Sequence, residues 1–130
     1  MADFDWNEYF SLAKELLEKE GEVYARASIG KAYYALYNIL CLKTCMNKSK
    51  EGFTSNHADL ISIFQKAELP SPNKLPEFTN EELKEIGKDL SFLRMQRNNA
   101  DYDRVKKITN KDAKIVYQKV ELILEKIKEE

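Results

Sequence analysis

The sequence predicts an all-α fold, a bundle of four or five helices. Three observations carry this. Apolar residues recur at helical spacing in four separate stretches. Breakers are scarce: there are 4 Gly and 3 Pro in 130 residues, and the prolines cluster between Pro70 and Pro76. Helix-start signals stand directly ahead of the apolar stripes. An apolar fraction of 43% is enough for one core, so residues 1–130 read as a single domain.

The elements follow in order. Asp5 and Glu8 have capping-box spacing. Trp6, Tyr9, Phe10, Ala13, Leu16 and Leu17 then form a stripe, with Gly21 expected as the C-cap. Trp6 and Phe10 read as core or dimer contacts. From about Glu22 to Met46 apolar residues occupy more than one face, which predicts the central, most buried helix. Its small residues, among them Ala25, Ser28, Gly30 and Ala32, let neighbours come close. Tyr24, Tyr33, Tyr34 and Tyr37 carry hydroxyls that each want a partner once buried. Arg26, Gly30, Tyr33 and Tyr37 share one face, expected to approach Arg97 across the bundle.

Asn47 to Thr54 reads as a polar loop, and a third helix runs from about Asn56 to Ala67. His57, in its first turn, reads as a surface or capping residue. Leu69 to Phe78 is a proline-containing loop. Thr79 and Glu82 form a capping box that opens the fourth helix. Thr109 is the expected N-cap of a last helix over Asn110 to Lys128, whose Lys- and Glu-rich face is solvated.

The fourth helix holds the anomaly. Leu83, Ile86, Leu90 and Leu93 mark its inward face, and Arg97 falls where the pattern asks for another leucine. An inward guanidinium is costly unless it meets a partner, water or an anion. Asp101, four residues on, offers an ordinary helical ion pair, so a structural and a functional reading both stand. In an unbroken helix Arg97 and Tyr102 would point about 140° apart. A shared site then requires the helix to end or distort near Asn99–Asp101, or Tyr102 to meet Arg97 of a second subunit.

Net charge −1 excludes a globally basic nucleic-acid binder. Any such contact must rest on a local patch, and Arg94, Arg97, Arg104, Lys106 and Lys107 provide one against Asp101 and Asp103. No apolar run is long enough to span a bilayer, and the acidic start is not a signal peptide. A cytoplasmic protein without a membrane partner is expected. Cys41 and Cys45 are then reduced thiols, and their i,i+4 spacing is a poor zinc pattern. Neither metal nor cofactor is expected.

Three segments carry a resemblance. Arg97 to Asp103 reads RNNADYD; Arg26 to Tyr37 reads RASIGKAYYALY; His57 is followed seven residues later by Phe64. These resemble the R-x-x-A-D-Y-D, S-x-x-x-A-Y-Y-A and H-x(6)-F stretches of a nucleotidyltransferase-associated branch of the HEPN superfamily. The resemblance implies an α-helical bundle that usually dimerises and is encoded beside a small nucleotidyltransferase. Many such proteins are toxins or defence proteins that cut RNA without a metal, through an R-x(4–6)-H motif. Here Arg97 matches the Arg and Asn98 its polar neighbour, while Tyr102 occupies the His position.

The chemistry fits those residue types in part. Metal-free cleavage needs a base for the 2′-OH and a cation for the charged phosphorane. Arg supplies a planar fork for phosphate oxygens. Tyr, with a reference pKa of about 10, is a weak base at neutral pH but donates hydrogen bonds and stacks on bases. The candidate catalytic residues are Arg97, Asn98, Asp101 and Tyr102. Arg94, Arg104, Arg26, Tyr33 and Tyr37 are candidate RNA contacts. The expected function is RNA-directed, as a metal-independent ribonuclease or RNA binder in a toxin–antitoxin or defence pair, the chain acting as a homodimer. The alternative is a non-catalytic protein-interaction or nucleotide-binding module with a degenerate motif.

Overall fold

A computed structural model describes residues 4–44, 57–69, 75 and 77–128. The expectations for the Asn47–Thr54 loop, for Cys45 and Met46 and for most of the proline segment lie outside these residues. Five helices are present: α1 (Asn7–Leu17), α2 (Glu22–Thr44), α3 (His57–Gln65), α4 (Asn80–Tyr102) and α5 (Asn110–Lys128). The described residues contain no strand, and the all-α expectation holds.

α2 is the hub. It packs against α1, α4 and α5, while α3 lies on α4. A helix with neighbours on three sides must be apolar on three sides, which is why no single stripe marks α2 in the sequence. Ile29, Leu36 and Leu40 of α2 are fully buried with Leu60 and Phe64 of α3, Leu90 and Leu93 of α4, and Val116 and Val120 of α5. Small side chains set the closest approaches. Ser28 Oγ donates to the Ala13 carbonyl at 2.8 Å, which satisfies a buried hydroxyl at the α1–α2 contact. Gly87 in α4 lets α3 sit directly on the helix backbone, since a Cβ there would meet Gln65 N at 2.6 Å.

The helix ends combine expected and unexpected chemistry. Thr79 and Glu82 form the capping box of α4 in both directions, at 3.1 and 2.8 Å. Thr109 caps α5 reciprocally with Asp112. At α1, the Asp5 carboxylate instead accepts from Asn7 N at 3.0 Å, two residues on, and Glu8 meets Asp5 through the backbone, its N–H donating to Asp5 O at 3.0 Å. Gly21 also departs from expectation. α1 stops at Leu17 and closes with Glu18 N donating to Glu15 O. Gly21, at φ 127°, turns the chain into α2, its carbonyl accepting from Tyr24 N and Ala25 N. Its backbone freedom starts the second helix rather than ending the first.

The α1–α5 seam closes with Phe10 stacked on Tyr117, ring centroids 4.5 Å apart, and with Asn110 Nδ2 donating to Leu17 O. Phe10 is thus an intramolecular packing residue. Among the described residues, no helix is long and apolar enough to cross a membrane.

Candidate anion-binding site

Arg97 occupies the leucine position its spacing predicts, and the residue is 5% exposed. It is poorly compensated there. Its only ion pair among the described residues runs from Nη1 to Asp101 Oδ2 at 3.6 Å, beyond ordinary hydrogen-bonding distance. Its Nε, and that of Arg94 one turn earlier, are buried without a hydrogen-bond partner. What surrounds the guanidinium is aromatic. Arg97 Cζ lies 5.1 Å from the Tyr34 ring centroid, 5.5 Å from that of Tyr33 and 5.9 Å from that of Tyr102. Aromatic faces attract a cation but cannot accept its N–H groups as an anion does.

The helix does not break to make this site. α4 runs on through Tyr102 and ends with Asp103 N donating to Asn99 O at 3.1 Å. Arg97 and Tyr102 thus approach each other with neither a distortion near Asn99–Asp101 nor a second subunit. Arg97 and Tyr102 of one chain meet because both side chains are long enough to lean together at the helix end. Tyr102 remains 70% exposed, so the cation is buried while one of its aromatic neighbours faces solvent.

Small residues on α2 let α4 come this close. A Cβ on Gly30 would lie 3.4 Å from Asp101 Oδ1, so the ion-pair partner packs against the glycine. The residues of the shared α2 face go to different partners. Tyr33 and Tyr34 flank Arg97. Tyr37 lies against His57 of α3, the rings tilted by 30° with centroids 4.1 Å apart. Arg26 donates Nη1 to Asn99 O and Ala100 O at 3.1 and 2.9 Å, and Nη2 to Lys106 O at 2.7 Å. Its Nε donates to Glu22 Oε2 at 3.0 Å. These bonds satisfy the last carbonyls of α4 and engage every nitrogen of the guanidinium, so Arg26 is a helix cap. The Ile108 N–H, then Arg26 and Lys107, hold the Glu22 carboxyl below its ordinary range. Asn98 and Arg104 are exposed and have no described contact with the Arg97 cluster.

Two members of the cluster were not among the candidates: Tyr34 and His57. The Tyr33 hydroxyl lies 2.7 Å from His57 Nδ1. Burial raises the Tyr33 phenol well above its ordinary pKa, against the opposing pull of Arg97 and Arg94. Burial, with Arg97 and Arg94 nearby, pushes the His57 imidazole down from 6.5 to about 4. A histidine at the start of a short helix gives no sign in sequence of where it will point. Only the α3-on-α4 packing brings it here, and the H-x(6)-F resemblance was the one hint available.

The His57 shift carries a stability consequence. In the unfolded chain the ring titrates at its ordinary 6.5, so between 6.5 and about 4 the unfolded state binds more protons. Folding therefore weakens as pH falls through that window. The held-down carboxyls of Glu22 and Asp103 act lower, below their ordinary 4.5 and 3.8. His57→Gln is expected to flatten the melting temperature between pH 6.5 and 4.5, read by circular dichroism; an unchanged slope would place the imidazole outside this environment.

Among the described residues no group of three His, Cys, Asp or Glu side chains is placed to hold a metal ion. The cluster instead offers positive charge, aromatic faces and hydroxyl donors, a chemistry suited to a phosphate with an attached base. The family model for the HEPN domain matches residues 7–130. Comparison with curated proteins and with solved structures gives no match.

Proposed function

Because the chain belongs to the HEPN domain family, we propose that it is RNA-directed and engages the phosphodiester backbone at Arg97. The observation that carries this is the buried guanidinium with an unpartnered Nε and a single long ion pair. A cation kept at that cost, in a cluster with one exposed ring, suits an arriving anion that brings a base to stack.

In this reading Arg97 holds the scissile or bound phosphate and Asp101 orients it. Tyr102 stands at the motif's His position and supplies a stacking face and a hydroxyl donor. Arg94 adds positive potential from the preceding turn, and Asn98 and Arg104 contact the RNA outside the cluster. Cleavage, where it occurs, is metal-independent attack by the 2′-OH with Arg97 stabilising the phosphorane charge. The chain works as a homodimer in a toxin–antitoxin or defence pair with a nucleotidyltransferase. The second reading is a non-catalytic interaction module. Exposed Met95, Tyr102 and Val105 near the end of α4 favour it, since they offer apolar surface where the first reading places RNA.

The test is a mixed RNA pool incubated with the purified protein in EDTA, beside Arg97→Ala and Tyr102→Phe, with binding followed by fluorescence anisotropy. Arg97→Ala is expected to lower RNA affinity by roughly tenfold or more and to remove any cutting. Unchanged affinity in that variant rejects the RNA reading.

A further inference from the structure

His57 has no role in the reading above, yet it is the sole histidine of the chain and shares aromatic neighbours with the buried cation. Arg97 and His57 share two rings. Arg97 Cζ lies 5.5 and 5.1 Å from the centroids of Tyr33 and Tyr34, and the imidazole centroid lies 5.3 and 6.0 Å from the same two. The fully buried Tyr33 phenol keeps its proton, and Nδ1 of His57, at 2.7 Å, is in place to receive it as a hydrogen bond. An imidazole that accepts at Nδ1 carries its own hydrogen on Nε2. With Tyr33 as the donor of this bond, the neutral ring presents Nε2–H as its free donor.

We infer that His57 is an anion ligand of the Arg97 site, donating Nε2–H to the phosphodiester that Arg97 holds, and that anion and proton bind there together. The identity of the anion rests on the RNA reading. The pairing of His57 with Arg97 rests on the two rings they share.

The charges around the imidazole give the coupling its sign. α4 brings Arg94 and Arg97, with Asp101 as the one nearby carboxylate on that helix; α2 brings the neutral phenols of Tyr33, Tyr34 and Tyr37; α3 itself carries Asp59 two residues on. In the empty site burial and the two guanidiniums oppose a third positive charge. A bound phosphodiester cancels one of them and accepts from the ring, so protonation of His57 becomes easier. Linkage is reciprocal: each unit by which the anion raises the His57 pKa strengthens anion binding to the protonated site by about tenfold. Anion affinity therefore increases as pH falls through the raised midpoint of the bound site toward the free midpoint of about 4.

The sole histidine gives one imidazole spin system, so histidine-labelled protein reports the site directly by NMR. The signal is followed against pH in chloride, in sulfate at matched ionic strength, and with an uncleavable 2′-O-methyl RNA oligonucleotide. The expected midpoint is about 4 in chloride, with the Nε2–H tautomer above it. Sulfate and oligonucleotide are each expected to raise the midpoint by about one unit or more, and Arg97→Met to remove that rise. The wild-type comparison stands alone should the variant not fold. A midpoint identical in all three solutions, or an Nδ1–H tautomer, overturns the inference. If Arg97→Ala abolishes RNA binding while the His57 midpoint never moves, the inference falls and the RNA reading survives. If sulfate moves the midpoint in a protein that binds no RNA, the His57–Arg97 site is upheld and the RNA reading falls.

Discussion

Arg97→Met is expected to weaken RNA binding sharply while leaving the melting temperature unchanged or raised. The two halves have separate causes. Desolvating a guanidinium costs several kcal/mol, and here one ion pair at 3.6 Å and three aromatic faces offset it incompletely. Methionine fills similar volume, packs against the same rings and buries no charge. The expected change in unfolding free energy lies between about zero and about 2 kcal/mol in the stabilising direction, from the behaviour of buried ion pairs replaced by apolar groups. RNA affinity should fall by roughly tenfold to a hundredfold, the usual worth of a charge-assisted contact. Urea unfolding and RNA titration on the same preparation check both. A loss of more than about 2 kcal/mol would make Arg97 a structural keystone and remove the main support for the functional reading.

Arg26→Ala is expected to do the reverse. Its guanidinium ties the N-terminal turn of α2, through Glu22, to three carbonyls at and beyond the end of α4. Glu22 in turn accepts from Ile108 N at 3.0 Å, so removing the arginine loosens the approach to α5 as well. The expected cost is about 2–3 kcal/mol, several charge-assisted bonds lost together at a partly buried site. Arg26→Lys should recover little of it, because one ammonium cannot match a fork that reaches three carbonyls. RNA affinity, measured where the variant is still folded, should change by less than about threefold, as for a charge outside the contact. A large affinity loss at unchanged stability would return Arg26 to the RNA-contact set.

The two variants divide the chain's arginines by purpose. Arg26 is satisfied by backbone carbonyls, as a structural arginine is. Arg97 is left unsatisfied inside an aromatic enclosure, an arrangement that a fold under pressure for stability alone would not favour.

The helices and the position of the anomaly are legible in local sequence. The Thr79–Glu82 box, the Thr109 start and the 3.6-residue stripes of α4 and α5 are local chemistry, legible because cap and stripe lie within a few residues of each other. Arg97's burial was readable for the same reason: the stripe that ends in Leu90 and Leu93 fixes its direction whatever lies opposite. What lies opposite comes from helix packing. It set Tyr33 and Tyr34 on the guanidinium, sent Arg26 to the carbonyls of Asn99, Ala100 and Lys106, and brought His57 to the Tyr33 hydroxyl from 24 residues away. Those partners are joined by helix packing, with Gly87 admitting α3 to the backbone of α4, and no periodicity within one segment encodes the register between two.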